Sequence, residues 1–187
     1  MRTAIISDLH LGVASDEDVL RDPAIRRILF EEIASADRLV LLGDVIELRN
    51  LPLGPSLERS RPFFEELGEA IGDAEVTLVP GNHDARLAEP LLDQLSIKGD
   101  PTLGLEHRYA PSPGPLAMVD EWLGPARLQA AYPGIWLRED VYATHGHYLD
   151  VHLSLPRAEC LAAAHAMRDP VVPRSPQQQH PTRSPHL

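Results

Sequence analysis

The stretch Thr3-Ala4-Ile5-Ile6-Ser7-Asp8-Leu9-His10 decides how the chain begins to fold. Its first half is short, apolar and rich in β-branched residues, and polar residues follow at once, which predicts a buried strand. Side chains two positions apart on a strand point to the same side. Asp8 and His10 therefore leave the strand tip together and offer a carboxylate oxygen and an imidazole nitrogen to one point. These donors suit Mn, Fe or Zn better than Ca, which prefers oxygen alone.

Three later apolar runs end in residues of the same kind. The runs and the residues that follow them are Leu39–Leu42 with Gly43-Asp44, Val76–Val79 with Pro80-Gly81-Asn82-His83-Asp84, and Val141–Thr144 with His145-Gly146-His147. An isolated Asp-x-His is more simply a turn beside a surface histidine, but its repetition at successive strand ends makes chance a poor explanation. In open α/β sheets, sites form just outside the carboxyl ends of the strands. Glycines at Gly43 and Gly81 let the backbone approach a bound ion closely.

Taken in order, these motifs resemble those of the calcineurin-like metallophosphoesterases, and the resemblance spans roughly residues 1–150. It implies a layered α/β fold, in which a β-sandwich is flanked by helices. It also implies a dinuclear metal centre that hydrolyses a phosphate ester through an activated hydroxide. The family closes its site with a later Gly-His-x-His, which this sequence lacks. The expected fold is therefore incomplete at its C-terminal end.

The resemblance also implies a role for each ligand. Asp8 and His10 bind one metal ion, Asn82 and His145 bind the other, and Asp44 bridges the pair. A bridging carboxylate suits two dications held ~3.5–4 Å apart, because it screens their repulsion. The implied cofactors are two divalent ions, Mn, Fe or Zn.

His83 and Asp84 are the expected catalytic residues. His83 would face the substrate, and would protonate the leaving oxygen or stabilise the transferring phosphoryl group. Asp84 would orient His83 or hold it protonated. The alternative for Asn82–Asp84 is an Asx-type turn that caps the next helix, and both interpretations can hold together.

Two further residues near the motifs are harder to assign from the sequence. His147 either points with His145 or turns away after Gly146, so its role stays open. Glu47 lies just beyond Asp44 and could support the metal ligands without binding a metal itself, but the commoner role of such a carboxylate, favoured here, is to bind a neighbouring arginine or water.

The composition of the chain constrains its domain number, its cellular compartment and the class of its substrate. A chain of 187 residues with 43% hydrophobic and 24% charged residues fits one soluble globular domain. No apolar run approaches the ~20 residues of a membrane span, and no signal peptide precedes the first strand. A single cysteine, Cys160, fits a reducing cytoplasm. The net charge of −11 argues against a nucleic-acid partner, so the expected substrate is a small-molecule or lipid-linked phosphoester.

The spacing of apolar residues in the rest of the chain predicts the helices and strands that support the site. A helix opening at Pro23 would pack the apolar stripe Ile25, Ile28, Leu29 and Ile33 on the sheet and expose its arginines. Further helices are predicted near Arg61–Ile71, Leu87–Leu95 and Leu116–Leu123, and strands near Leu105–Tyr109 and Ile135–Leu137. The stretch 99–134 is either a substrate-facing excursion or a plain surface connection.

The predicted domain spans residues 1–168, and its last part, 151–168, looks like the start of a helical cap. Residues 169–187 form a proline-rich tail whose composition predicts disorder. Two functions are consistent with these features. One is a metal-dependent phosphoesterase, and the other is a truncated paralogue with weak metal binding and little or no catalysis.

Overall fold

The computed structural model describes residues 2–15, 18–98, 103–111 and 113–149. Within them six strands and four α-helices form a mixed α/β fold, as predicted. The strands are β1 Thr3–Ile6, β2 Arg38–Leu42, β3 Glu75–Val79, β4 Glu106–Tyr109, β5 Arg127–Arg138 and β6 Val141–Thr144. The helices are α1 Pro23–Ile33, α2 Leu53–Ile71, α3 Glu89–Lys98 and α4 Pro115–Trp122. The predicted cap and proline-rich tail lie outside the described residues.

The sheet brings the carboxyl ends of the motif strands to one edge. Strands β1, β2, β3 and β5 lie side by side and parallel, and β4 joins the far side of β5 antiparallel to it. The register places Ile5 beside Val40, and Val40 beside Thr77. Because parallel strands all end at the same edge, the residues after β1, β2 and β3 meet there.

Strand β5 is long enough to serve two pairings. Its first part pairs with β3, and from Gly134 onward it pairs antiparallel with β6. Ile135 and Ala143 from this β5–β6 pair pack with Val40 and Val79 on one face of the sheet. This packing places the end of β6, and therefore His145, above the ends of β2 and β3.

The opposite face of the sheet carries the larger core. Side chains from β2, β3 and β5 pack there against helices α1, α2 and α4. Phe64 and Leu67 of α2 are fully buried in this layer, and each such burial contributes about 1.5–3 kcal/mol. Gly68 lets α2 approach Leu123, because a Cβ there would overlap the Leu123 backbone. None of the helices in the described part of the chain has the length and apolar character that crossing a membrane requires.

Helix α1 forms where predicted, but its buried face is different. Ile25 and Ile28 are exposed, whereas Arg26, Phe30 and Ile33 are buried. The Arg26 guanidinium donates to both carboxylate oxygens of Glu66 and to the carbonyl oxygen of Leu20. The prediction is therefore confirmed for Ile33 and for Leu29, which packs partly buried against the core. It is wrong for Ile25 and Ile28, because these polar partners let Arg26 occupy the inner face.

Other element boundaries also differ from the prediction. Helix α2 begins at Leu53, well before the expected Arg61. Strand β5 begins at Arg127, although the sequence predicted a strand only from Ile135. Residues 127–134 lie in the stretch expected to be an excursion or a surface connection, but they form the first part of β5, which passes through Pro133-Gly134.

Candidate metal centre

The loop after β1 is held against the loop after β2 by backbone hydrogen bonds. The Asp8 N–H donates to the Gly43 carbonyl at 3.1 Å, and the His10 N–H donates to the Asp44 carbonyl at 2.9 Å. Asp8, His10 and Asp44 have φ values of 56°, 47° and 52°. Residues other than glycine seldom adopt this left-handed conformation, and it costs about 1–2 kcal/mol per residue. The surrounding bonds therefore keep three strained residues in place at one edge of the sheet.

Asp84 fastens the loop after β3 to the loop after β2. It is completely buried. Its Oδ1 accepts from the N–H groups of Gly81 at 2.6 Å and Asp44 at 3.2 Å. Its Oδ2 accepts from Val45 at 2.8 Å and Ile46 at 3.4 Å. Burial raises the pKa of Asp84 to about 6, although these N–H donors work in the opposite direction.

A first group of candidate ligands comes from three different strand ends. Asp8, Asp44 and His145 each offer one ligand atom, and these atoms lie within 4.8 Å of one another. His145 Nε2 is 3.4 Å from Asp8 Oδ1 and 3.6 Å from Asp44 Oδ2. The Asp8 side chain is 58% exposed, whereas that of Asp44 is only 5% exposed. The group is therefore buried on the side of Asp44 and open to solvent on the side of Asp8.

Two glycines make room for this group. A Cβ at Gly43 would overlap the His145 ring, and a Cβ at Gly81 would overlap the Asp44 carboxylate. Gly43 also has a φ of 77°, which favours glycine. The glycines therefore let the imidazole and the carboxylate lie directly against the backbone.

Asn82 lies between the Asp44 carboxylate and the Arg49 guanidinium. In the orientation that satisfies both ends of its amide, the nitrogen donates to Asp44 Oδ2 at 3.1 Å and the oxygen accepts from the Arg49 guanidinium at 3.2 Å. Arg49 is otherwise exposed. Sequence reasoning missed Arg49, since nothing in its spacing distinguishes it from a surface arginine.

A second group gathers around Glu47. His10, Glu47 and His83 also place one ligand atom each within 4.8 Å of the others. Glu47 Oε2 is 3.3 Å from His10 Nδ1 and 2.5 Å from His83 Nδ1. Burial alone would raise the pKa of Glu47, but hydrogen bonds from the Arg49 N–H and His83 outweigh it, so the pKa is lowered.

Asp8 shows the same balance of effects. Its partial burial raises the pKa, whereas hydrogen bonds from Ser7 and His145 and the nearby histidines lower it, and the net pKa is below the ordinary value. Both carboxylates are therefore ionised at neutral pH. Ionised carboxylates are the form that binds a cation.

His147 contacts His145 from the side away from the carboxylates. The two Nδ1 atoms are 2.8 Å apart, while Nε2 of His145 faces Asp8. Burial, followed by the charge of His145, lowers the pKa of His147 to about 4. His147 is thus neutral at pH 7, and its Nδ1 lies against Nδ1 of His145.

The partner of His83 differs from the expected one. The oxygens of Asp84 are engaged by backbone N–H groups, and the carboxylate in contact with His83 is that of Glu47. The prediction that Glu47 binds a neighbouring arginine is met at the backbone, because its Oε1 accepts from the Arg49 N–H at 2.8 Å, and its Oε2 also contacts two imidazoles. An acid three residues after Asp44 was the available signal for this arrangement.

The residues present suit divalent metal ions. Both groups combine imidazole nitrogens with carboxylate oxygens, the donors that Mn, Fe and Zn accept. The space left by Gly43 and Gly81 lets two of these donors reach the same region. The structure thus brings Asp8, Asp44 and His145 together, places Asn82 beside Asp44, and turns Nδ1 of His10 toward Glu47.

Comparison with known proteins agrees with this architecture. A model of the calcineurin-like phosphoesterase family matches residues 1–171. The DNA polymerase II small subunits of two Halobacterium salinarum strains are 33% identical over 107 residues, which cover 48% of this chain and 20% of each relative. Uncharacterized protein R555 of Acanthamoeba polyphaga mimivirus is 33% identical over 95 residues, which cover 49% of this chain and 7% of that protein.

No solved structure matches the chain. The chain spans about a fifth of the length of the halobacterial relatives. The family match, by contrast, extends over most of the chain and includes every residue of both ligand groups. The chain belongs to the calcineurin-like phosphoesterase family.

Proposed function

We propose that this chain is a metal-dependent phosphoesterase that hydrolyses a phosphate ester at the edge of its sheet. The observation that carries the proposal is the convergence of Asp8, Asp44 and His145, whose ligand atoms lie within 4.8 Å of one another although they follow three different strands. A structural role alone would not require strained φ values at two of these residues.

In this proposal two divalent ions, Mn, Fe or Zn, are held by Asp8, His10, Asp44, Asn82 and His145. Asp44 is placed to be shared, since it is buried and contacts both His145 and Asn82. When bound, the ions supply Lewis-acid chemistry, which polarises phosphoryl oxygens and lowers the pKa of water. The chain's own contribution is to fix the ligands before the ions arrive.

His83 is the proposed proton donor to the leaving oxygen. Its imidazole is partly exposed, with a side-chain exposure of 27%, so a substrate can reach it. The Glu47 carboxylate, 2.5 Å from Nδ1, holds the ring in one orientation. Asp84 holds the loop after β2 in place, because its carboxylate accepts hydrogen bonds from the backbone of that loop.

Arg49 is the proposed contact for the phosphoryl group of the substrate. Its guanidinium lies beside Asn82, and a guanidinium can bind a phosphate through two parallel hydrogen bonds. The chain has a net charge of −11, so an anionic substrate needs local positive charge. Bound cations and Arg49 together provide it.

The relatives favour a second candidate, action on DNA. The two halobacterial relatives are DNA polymerase II small subunits and share 33% identity with this chain over 107 residues. A phosphodiester in DNA presents the same phosphoryl chemistry as a small-molecule ester. The acidic charge of the chain argues for the small or lipid-linked substrate, so DNA is the second choice.

A manganese titration tests the proposal. Hydrolysis of an aryl phosphodiester and of a single-stranded oligonucleotide is followed as Mn²⁺ is added to the metal-free protein. The proposal expects metal-dependent hydrolysis of the aryl ester, and loss of both metal content and hydrolysis in Asp44→Asn, because the shared charge is removed. Metal binding without hydrolysis of either substrate would favour the non-catalytic paralogue. Hydrolysis of the oligonucleotide alone would favour DNA.

A further inference from the structure

The two ring nitrogens of His145 face different kinds of group. Its Nε2 is 3.4 Å from Asp8 Oδ1 and 3.6 Å from Asp44 Oδ2. Its Nδ1 is 2.8 Å from Nδ1 of His147, and the centroids of the two rings are 5.0 Å apart. One candidate ligand therefore lies between carboxylates on one side and a second imidazole on the other.

A tight turn brings His147 to this position. Strand β6 ends at Thr144, and Gly146–Leu149 form a short 3₁₀ helix. On another side, the ring of His145 lies directly against Gly43, where a Cβ would overlap it. Only 11% of the His145 side chain is exposed, so water has little access to this ring. The contact between the two imidazoles is therefore enclosed by the fold.

This contact gives the two rings opposite hydrogen-bond roles. A neutral imidazole carries one hydrogen, so one of its nitrogens donates and the other accepts. Two Nδ1 atoms at hydrogen-bond distance hold a single hydrogen between them. When His145 carries its hydrogen on Nδ1, His147 must carry its own on Nε2, and the reverse also holds. The tautomers of the two rings are thus coupled.

The other neighbours of His145 decide which arrangement forms. An ionised carboxylate accepts hydrogen bonds and cannot donate them, so Nε2 of His145 carries the hydrogen in the metal-free protein. Nδ1 of His145 then accepts from Nδ1 of His147. To bind a metal ion, Nε2 must offer its lone pair instead. The hydrogen of His145 then lies on Nδ1, and Nδ1 of His147 accepts it.

Building on the proposed function, we propose that His147 is a positioning residue that reverses its hydrogen-bond role when His145 binds metal. His147 donates from Nδ1 in the metal-free protein and accepts at Nδ1 in the metal-bound protein. Each ring carries one hydrogen in both states, so the pair changes tautomer without gaining or losing a proton. An ionised carboxylate in place of His147 could only accept, and would serve only the metal-bound state.

Nitrogen NMR on the full-length protein tests the reversal. Long-range ¹H–¹⁵N correlation spectra are recorded with and without Zn²⁺ above pH ~8, where ordinary imidazoles are neutral. Without Zn²⁺, we expect the hydrogen on Nε2 of His145 and on Nδ1 of His147. With Zn²⁺, we expect it on Nδ1 of His145 and on Nε2 of His147. The same tautomer of His147 in both spectra, or Zn²⁺ bound through Nδ1 of His145, would overturn the proposal.

Two variants of His147 separate positioning from packing. The amide of His147→Asn can donate or accept close to the former Nδ1, whereas His147→Leu fills the space without a polar group. We expect Zn²⁺ affinity close to that of the wild type for His147→Asn, and ~10–100-fold weaker binding for His147→Leu. His107→Leu is the control, because the His107 imidazole bonds to the Gly104 N–H outside the site.

Unchanged Zn²⁺ affinity in a folded His147→Leu protein would contradict the positioning role, as would equal losses in the two variants. The wild-type spectra decide the question even where a variant does not fold. The proposed function fails separately. A protein with the expected reversal that hydrolyses neither test ester would refute the phosphoesterase alone, whereas a metal-dependent hydrolase without the reversal would refute the role of His147 alone.

Discussion

Gly43 and His145 lie so close together that any side chain at Gly43 would overlap the imidazole ring. Gly43→Ala should therefore displace His145 and strain a backbone whose φ is 77°. We expect a loss of about 1–2 kcal/mol in stability from the backbone alone. Metal affinity should fall with it, measured by calorimetric titration with Mn²⁺.

Gly54→Ala is the control for this change, because nothing lies within 4 Å of the added Cβ and the residue is in helix α2. Alanine there should leave metal affinity unchanged and should not reduce stability. If Gly43→Ala binds Mn²⁺ as tightly as the wild type, then His145 is not a ligand.

His83→Ala separates catalysis from metal binding. We expect metal content close to that of the wild type and turnover reduced ~10²–10⁴-fold, since the variant loses an acid and keeps the proposed ligands. Metal content after dialysis and the rate of aryl phosphodiester hydrolysis give the two values. His107→Ala, on the edge strand β4, should change neither. A metal-depleted His83→Ala protein would instead identify His83 as a ligand.

Asp84→Asn tests a pH dependence of stability. The pKa of Asp84 is about 6 in the folded chain, against an ordinary value of 3.8. Between these pH values the folded chain binds more protons than the unfolded chain, so this carboxyl's contribution to the free energy of unfolding falls as pH rises. At ~1.4 kcal/mol per pKa unit, the fall amounts to ~3 kcal/mol.

The measurement compares urea unfolding of the metal-free wild type and Asp84→Asn from about pH 4 to pH 7. The stability advantage of the wild type should shrink as pH rises and become constant about one pH unit above the folded pKa of about 6. Asp140→Asn makes the same chemical change at a side chain that is 72% exposed and serves as the control. A constant difference between the wild type and Asp84→Asn would mean that burial does not raise this pKa.

Arg49→Gln addresses substrate binding. We expect KM for an anionic phosphoester to rise about tenfold, because a charged hydrogen bond to the phosphoryl group is worth about 1.5–3 kcal/mol. Arg49→Lys should recover only part of this loss, because lysine lacks the planar fork. Arg61→Gln removes the same charge from the surface of α2 and controls for the charge of the chain. An equal rise in KM for Arg61→Gln would exclude a specific role for Arg49.

The strand ends were predictable because two local signals coincide there. An apolar, β-branched run ends, and glycine, aspartate, asparagine or histidine follows it. That combination located β1, β2, β3 and β6 and the loops that carry the candidate ligands. Parallel pairing of β1, β2 and β3 then required the ends of those strands to meet.

The remaining errors come from contacts between distant parts of the sequence. Arg26 is buried because Glu66, 40 residues later, accepts from its guanidinium. The partner of His83 is Glu47, 36 residues earlier, rather than its neighbour Asp84. Strand β5 crosses Pro133-Gly134 because β4 and β6 pair on either side of it. The periodicity of apolar residues indicates local secondary structure, and it gives no information about contacts between residues far apart in the sequence.

The left-handed conformations of Asp8, His10 and Asp44 have a consequence for how such a chain changes over generations. Glycine would relax each of these positions by on the order of 1 kcal/mol, so the backbone conformation alone favours replacing them. A library screened only for folding should therefore enrich glycine at these three positions, and a library screened for metal binding should retain the present residues. A lineage in which these residues bind no metal would therefore gain stability by replacing them with glycine.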